Sequence, residues 1–339
     1  MRGFVRRFFT VLGAWVCLSV VALSADFRVD VGVVQDFCVL GDRAYLFGKK
    51  RNDSSPTLHL CRYNLQSGEL TRVLSDDQEK LLMRDRFAQL AVCPRTQQLA
   101  AITAGSSLTA RSQRNFTEIV LVDLQTGRGR RIVSNGRYNI YPEFSPDGSE
   151  IAFYDASADV LMHQWEADCK GFSLSVVDLA TDAVRRIAEE DWRPTRESPP
   201  AWSPDGKRIA FTATYDRKAF GQLYVIDRTG GRPRRITPPD AKACEHPLWT
   251  PDNTILYSAS RGREYGLYSS VADGRPAMRL VFPCSVRSPL DLSPDGKTVV
   301  FMGAPADGDL SKSEPIVLDP SGRRLTDQEP NLVLHRWRR

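Results

Sequence analysis

The sequence has few of the residue patterns that indicate catalysis or metal binding. Its 339 residues include only four histidines, and none of its seven cysteines has the C-x-x-C spacing of zinc knuckles and thioredoxin-like sites. The pair Gly230-Gly231 is followed by a strand pattern rather than by a helix, so it lacks the helix N-terminus that would hold a phosphate. We therefore expect no catalytic residues, no metal site and no cofactor.

An excess of charge and helical periodicity are also lacking. The formal net charge is +5, and without Arg2, Arg6 and Arg7 the chain has 43 basic and 41 acidic residues. A nearly neutral body does not fit a nucleic-acid partner, which requires a basic surface. Sustained helical periodicity is absent, and the best helix candidate is a short insertion at residues 76–90.

The N-terminus has the pattern of a secretory signal. Three arginines precede an apolar run at residues 8–25 that ends in small residues, with plausible cleavage near Ser24 or Ala25. This predicts a signal peptide over residues 1–25, a single domain over residues 26–339, and a periplasmic or otherwise exported location. An uncleaved N-terminal anchor is the alternative, and no other membrane span is expected.

Export makes disulfide bonds possible. Cys244 and Cys284 occupy comparable places in successive repeats of the chain, and they are the one pair that we expect to be bridged. A bridge requires that their Cα atoms lie within about 7 Å.

An eleven-residue pattern recurs along the chain. Ala201-Trp-Ser-Pro-Asp-Gly-Lys-Arg-Ile-Ala-Phe211 has close copies beginning at Glu143 and Asp291, and a variant one residue shorter beginning at Leu248. Each copy is typical of a strand, a tight turn and a second strand, because Pro, Asp and Gly suit successive turn positions. Repetition at this spacing indicates a repeat architecture.

Six such units follow one another from about residue 31, and each contains four short strand patterns. Four-stranded units with periods of about 43 to 58 residues are typical of propeller blades. The sequence thus predicts an all-β fold, a six-bladed β-propeller of four-stranded antiparallel blades. Either residues 27–33 or residues 331–337 are expected to close the ring by adding a strand to the blade at the other terminus.

The repeat resembles the Pro-Asp, or WD40-like, repeat of TolB-like propellers. Its Ser-Pro-Asp-Gly turn is followed by Leu223-Tyr-Val-Ile-Asp227, Thr229-Gly-Gly231 and Arg234-Arg-Ile-Thr237. The resemblance covers about residues 86–326 well and residues 31–75 weakly. The same repeat occurs in the propellers of prolyl-oligopeptidase-type peptidases. TolB carries an α/β domain before its propeller, and the first unit here starts too early to leave room for it.

Two kinds of enzyme were weighed against this resemblance. The sequence contains no G-x-S-x-G elbow, which argues against a serine hydrolase. His163 and His246 are predicted in loops of different blades that could approach each other. If they clustered with carboxylates, the chain would be a carbohydrate-active or metal-dependent propeller enzyme such as a lyase.

The main expectation is instead a non-catalytic protein-binding scaffold in the cell envelope. The stereotyped turns share one face of the propeller, so function is expected on the variable loops of the opposite face. Candidates for binding an envelope protein or peptide are the aromatic and arginine residues there, with packing between blades as the alternative. They are Trp165, Trp192, Arg193, Tyr138 and Tyr141. Recurring Arg-Arg pairs on the fourth strands are expected to discourage edge-to-edge pairing.

Overall fold

The computed structural model describes most of the chain between residues 31 and 325. The described ranges are residues 31–40, 43–50, 59–64, 67–82, 89–104, 116–156, 172–194, 198–214, 221–273, 276–286, 290–293, 296–305 and 314–325. A search of these residues for a helix of the length and apolar character needed to cross a membrane finds none.

The first three blades each contain four antiparallel strands in chain order, as the sequence predicts. Blade 1 consists of β1 (Val31–Leu40), β2 (Arg43–Lys50), β3 (His59–Asn64) and β4 (Leu70–Arg72). Blade 2 consists of β5 (Ala91–Cys93), β6 (Gln98–Ala104), β7 (Thr117–Asp123) and β8 (Arg128–Val133). Blade 3 consists of β9 (Tyr138–Phe144), β10 (Glu150–Ala156), β11 (Phe172–Asp178) and β12 (Val184–Pro194).

The last three blades complete the six-bladed propeller. Blade 4 consists of β13 (Ala201–Trp202), β14 (Arg208–Thr214), β15 (Gln222–Asp227) and β16 (Arg234–Arg235). Blade 5 consists of β17 (Ala241–Trp249), β18 (Thr254–Arg261), β19 (Glu264–Val271) and β20 (Arg279–Pro283). Blade 6 has its innermost strand in two pieces, followed by two longer strands. They are β21 (Ser285–Val286), β22 (Asp291–Leu292), β23 (Val299–Ala304) and β24 (Glu314–Leu318).

One strand passes from blade 3 into blade 4. The long strand β12 pairs with β11 as the outer strand of blade 3, and its end then pairs with β14 through Arg193–Thr214 and Pro194–Ala213. The two blades therefore form one continuous hydrogen-bonded sheet. This continuity shows how the chain moves from the rim of one blade to the axis of the next.

The repeated turn has the backbone conformation that its residues predict. Gly148, Gly206 and Gly296 have φ values of +73°, +69° and +69°, and Asn253 has +63° in the shorter copy. This left-handed region favours Gly and tolerates Asn. In the turn ending at Gly206, the Ser203 hydroxyl also donates a 2.6 Å hydrogen bond to the carboxylate two residues later. The prediction of a structural turn is confirmed.

The apolar core is divided among the interfaces between successive blades. Each of the five interfaces from blade 1 to blade 6 contains one cluster of buried side chains contributed by both neighbours. At the interface of blades 3 and 4, for example, Tyr154 and Leu174 share a cluster with Trp202 and Phe211. Each blade therefore buries both faces of its sheet, which fits the runs of apolar residues in the second and third strands.

The Arg-Arg pairs join blades, contrary to the expectation that they only protect the outer edge. In three cases the first arginine donates to a backbone carbonyl in the turn between the third and fourth strands of the next blade. The donor–acceptor pairs are Arg130 with Leu179, Arg185 with Arg228, and Arg234 with Ala272. A guanidinium group can reach across the blade interface because its stem is long, and it satisfies a carbonyl that would otherwise need water.

The tryptophan before the repeated turn forms a second link between blades. The indole N–H of Trp202 donates to the carbonyl of Glu143 at 3.0 Å, and that of Trp249 donates to Ala201 at 3.0 Å. In both cases the acceptor lies one blade back, two residues before the turn. The repeat therefore includes residues that connect neighbouring blades as well as those that form each blade.

Two further expectations are settled by the described residues. Cys244 and Cys284 form no disulfide bond and are buried in different core clusters, so the predicted bridge between them is wrong. Val31 and Val33 pair with Lys50 and Lys49 in the innermost strand of blade 1 itself, so these two residues do not extend another blade. Residues 331–337 lie outside the described residues. The predicted helical insertion contains α1 (Asp76–Leu82), and residues 83–88 lie outside the described residues.

Candidate functional site

The innermost strands of the blades surround the axial channel of the propeller. Each innermost strand contains the same position of the repeat, two residues before the Ser, Thr or Cys that begins the turn. We call its described members the channel ring. They are Ala91, Glu143, Ala201, Leu248 and Asp291.

Solvent exposure differs among the members of the channel ring, and Ala201 and Leu248 also pack against the cores between blades. Glu143, Ala201 and Leu248 are partly exposed and Asp291 is exposed, whereas the residue directly before each of them is buried. Ala91 is the buried member.

The channel ring is acidic. It contains two carboxylates, Glu143 in blade 3 and Asp291 in blade 6, and no basic residue among its described members. Blades 3 and 6 are separated by two blades in either direction around a ring of six, so the strands that carry these two residues lie on opposite sides of the axis. The protein around Asp291 displaces much of the bulk water, and this desolvation raises the pKa of its carboxyl group to about 6.

Two innermost strands carry strained residues at the same repeat position. Tyr141 and His246 each lie four residues before the start of the turn, and both have φ of +55° at irregularities in strand pairing. The Tyr141 N–H donates to the side chain of Gln89 at 2.6 Å, and the His246 N–H donates to that of Ser198 at 2.8 Å. Both acceptors belong to the preceding blade. Such strained backbone is concentrated at functional sites in proteins.

Tyr154 places a buried hydroxyl group beside Glu143. Glu143 is paired with Ala152, and Tyr154 lies two residues further along the same strand, so the two side chains point to one face of the sheet. Within the described part of the chain the Tyr154 hydroxyl has no hydrogen-bond partner. Burial, followed by the charges of Tyr141 and Glu143, raises the pKa of this phenol well above its usual value.

The five predicted partner-binding residues have different positions. Tyr138 is 8% exposed and belongs to the core between blades 3 and 4, and Tyr141 is partly buried against that core. The backbone of Trp192 pairs with Phe172 and that of Arg193 with Thr214, while the side chains of both lie outside the described residues. Trp165 lies outside them entirely. The partner-binding role of these residues stays a prediction.

The histidines form no metal site in the described part of the chain. His246 is buried, and His59 is held between Glu79, at 2.6 Å from Nδ1, and Arg72, at 2.9 Å from Nε2. No group of three or more His, Cys, Asp or Glu residues that could hold a metal ion occurs among the described residues. His163, the other histidine of the lyase hypothesis, lies outside them.

Comparison with known proteins agrees with the architecture. Residues 165–318 match the family model described as the TolB beta propeller domain. The chain is a six-bladed β-propeller, and this part of it is similar to the TolB propeller domain. The crystal structure of TolB from Acinetobacter baumannii has a TM-score of 0.54 and 23% sequence identity, and the alignment covers 84% of this chain and 62% of that one. At this identity the likeness shows the fold alone.

The same fold occurs in enzymes of other kinds. Oligogalacturonate lyase from Vibrio parahaemolyticus has a TM-score of 0.62 and 14% identity, and the alignment covers 86% of this chain and 77% of that one. This likeness, too, shows only the fold. Among propellers the fold does not distinguish a binding protein from an enzyme.

Proteins that are similar in sequence include peptidases. Dipeptidyl-peptidase 5 of Porphyromonas gingivalis is 32% identical over 149 residues, which are 42% of this chain and 20% of that protein. The uncharacterized peptidase YuxL of Bacillus subtilis is 29% identical over 122 residues, 36% of this chain and 17% of that protein. The matched segments thus span a fifth or less of these relatives.

These relatives overturn the expectation of a non-catalytic scaffold and of a protein that is not an enzyme. The resemblance to prolyl-oligopeptidase-type propellers was present in the sequence, but the missing G-x-S-x-G elbow was given more weight than the repeat itself. Sequence reasoning also missed Glu143, Asp291 and Tyr154. The signal for the first two was available, because both occupy the same position of copies of the repeat.

Proposed function

We propose that this chain is the propeller of an exported peptidase and that its axial channel receives the peptide substrate. The observation that carries the proposal is the 29–32% identity that this chain shares, over 122 and 149 residues, with two proteins named as peptidases. The basic and apolar N-terminal segment supports export, most simply to a periplasm.

The channel supplies groups that suit an extended peptide. The innermost strands present one edge to the axis, and they are distorted at Tyr141 and His246. A strand edge offers backbone N–H and C=O groups with which a peptide can pair. The exposed positions of the channel ring add side chains of varied size and charge. The proposal concerns substrate binding and orientation, and it assigns no nucleophile to these residues.

Peptide cleavage by the native protein tests this function. The protein is purified from the cells that produce it and incubated with a mixture of peptides of four to twelve residues, and the products are identified by mass spectrometry. Cells that lack the gene, carried through the same purification, are the control. We expect cleavage products that are absent from the control. If the two preparations give the same products, the proposed function is wrong.

A further inference from the structure

The connection between blades 2 and 3 contains the one Asn-Gly pair of the sequence, Asn135-Gly136. It runs from the end of β8 at Val133 to the start of β9 at Tyr138. Asparagine is a labile residue, and a following glycine has no side chain to hinder attack by its backbone nitrogen. Both residues are exposed, and a Cβ atom at Gly136 would meet nothing within 4 Å. Water can therefore reach this pair.

Hydrogen bonds hold the Asn135 side chain in one orientation. The Arg137 N–H donates to its Oδ1 atom at 3.1 Å, and the Nδ2 group of Asn139 donates to the same oxygen at 3.0 Å. Because a backbone N–H can only donate, the first of these bonds identifies which side-chain atom is the oxygen. It also closes a turn in which the side chain folds back over the next peptide unit. The Asn135 Cγ atom is thereby brought to the side of the Gly136 nitrogen.

Two donors on one amide oxygen favour attack at the carbon that carries it. When the Gly136 nitrogen bonds to Cγ of Asn135, negative charge develops on Oδ1, and N–H groups aimed at such an oxygen stabilise that charge. The bond from Cγ to Nδ2 then breaks. Nδ2 leaves as ammonia with the proton that the Gly136 nitrogen loses, and a succinimide ring closes. Water opens the ring at either carbonyl, so the balance is one water gained and one ammonia lost, with aspartate or isoaspartate as the product.

The product would disturb a buried contact between the two blades. Asn139 is 0% exposed, and its backbone N–H donates to the hydroxyl group of Thr117 at 2.6 Å, which ties β9 of blade 3 to β7 of blade 2. The Nδ2 group of Asn135 donates to the Asn139 Oδ1 atom at 3.3 Å, and a carboxylate in its place has no such donor. Isoaspartate also adds one carbon atom to the backbone of this short connection. Conversion therefore weakens the contact between blades 2 and 3.

We propose that Asn135 is a self-modification site: the fold promotes its deamidation, and the product loosens the contact between blades 2 and 3. The reaction needs water and no second protein or cofactor. The two donors, from Arg137 and Asn139, are present only when the connection is folded. This inference is independent of the proposed peptidase function and of the axial channel.

Mass spectrometry of the full chain, incubated at pH 8 and 37 °C, tests the proposal. Trypsin releases residues 132–137 as one peptide, and replacement of NH2 by OH in its mass identifies conversion, with a sample taken at time zero to correct for the digestion. The reference is a capped synthetic peptide of residues 130–141 in the same buffer. We expect Asn135 to convert about tenfold faster in the folded chain than in the reference, because the oxyanion gains two donors. Asn253, which is exposed but followed by threonine, is the matched control in the same digest and should remain intact.

Two variants test the chemistry and its effect on the fold. Gly136→Ala places a methyl group beside the attacking nitrogen and should slow conversion severalfold; since its φ of +68° disfavours alanine, thermal unfolding checks that it is folded. Asn135→Asp contains one product and should unfold at a lower temperature than the wild type, as should the incubated protein.

Conversion in the folded chain that is no faster than in the reference peptide would overturn the proposal that the fold promotes it. Undiminished conversion in Gly136→Ala would contradict attack by this nitrogen. Unchanged unfolding temperatures of both Asn135→Asp and the converted protein would contradict the effect on the contact between blades.

Discussion

A glycine at the end of a turn can be required for its left-handed backbone conformation or because there is no space for a Cβ atom. Substitution with alanine at two positions separates these two requirements. Gly206 and Gly127 have nearly the same φ, +69° and +66°, but different surroundings. A Cβ atom at Gly206 would meet only Pro146 Cδ at 3.8 Å, an ordinary contact. A Cβ atom at Gly127 would lie 2.6 Å from the backbone oxygen of Val73 in the preceding blade, which is too close.

The expected costs follow from these contacts. Gly206→Ala adds the left-handed penalty of about 1–2 kcal/mol, reduced by the lower entropy of the unfolded chain by about 0.4–1 kcal/mol. The net loss is about 1 kcal/mol. Gly127→Ala adds to this the strain of moving two blades apart, about 1–3 kcal/mol. Its total loss of unfolding free energy is therefore about 2–4 kcal/mol.

Urea unfolding of both variants, followed by tryptophan fluorescence, measures the two losses. Gly206→Asn is the matched control and should cost less than Gly206→Ala, because Asn tolerates this conformation and Asn253 adopts it in blade 5. The reasoning is refuted if Gly127→Ala is no more destabilising than Gly206→Ala, since the blade contact would then have no energetic role.

Three further predictions concern charges and thiols. Arg185→Ala should lower the unfolding free energy by about 1–3 kcal/mol, because buried Glu150 loses one of its arginine partners. Urea unfolding should show a smaller loss when Arg185→Ala is made in the Glu150→Gln background, where only the bond to the Arg228 carbonyl is lost. Hydrogen bonds, chiefly from the turn serine, lower the pKa of Asp147 to about 2, so its stabilising effect should be complete above pH 4 and lost as pH falls through 2. Unfolding of the wild type and Asp147→Asn across pH 2–6 should therefore converge at the acid end, and a constant difference would contradict this account. Burial raises the pKa of Cys244 to about 12 and that of Cys284 to about 11, so iodoacetamide should alkylate both only after unfolding, and mass spectrometry that finds them modified in the native protein would contradict their burial.

The fold could be predicted because its strongest signal is repeated. One Ser-Pro-Asp-Gly turn is common in proteins, but several copies with apolar strands on both sides leave few alternatives to blades. The number of blades and strands follows from counting these units. The division of the inner strand of blade 6 into β21 and β22 could not be predicted, because the sequence between them has no recognisable turn pattern.

The residues that connect neighbouring blades recur visibly in the sequence, but the sequence does not show what they contact. Arg185 and Arg234 recur at one position of the repeat, and charge alone suggested a protected edge. Their partners are backbone carbonyls, which carry no residue signature, so only the structure identifies them. The same holds for Trp202, whose indole N–H binds a carbonyl of the preceding blade.

The candidate site was the least predictable part. A channel is formed by residues that are distant in sequence, and its lining depends on which side of each innermost strand faces the axis. Glu143 and Asp291 can be assigned to one ring only when the copies of the repeat are aligned and the exposure of each position is known. The predicted anchors were chosen by residue type alone, which does not indicate burial: Tyr138 lies in the core between blades 3 and 4. Their partner-binding role stays a prediction.

The central claim is that the axial channel receives a peptide, and photo-crosslinking tests it most directly. A peptide with one benzoylphenylalanine residue is irradiated in the presence of the protein, with and without excess unlabelled peptide, and the labelled residues are mapped by mass spectrometry. The account predicts competable labels on the innermost strands β9, β13, β17 and β22. Labels confined to the outer strands or to the Ser-Pro-Asp-Gly turns would contradict it.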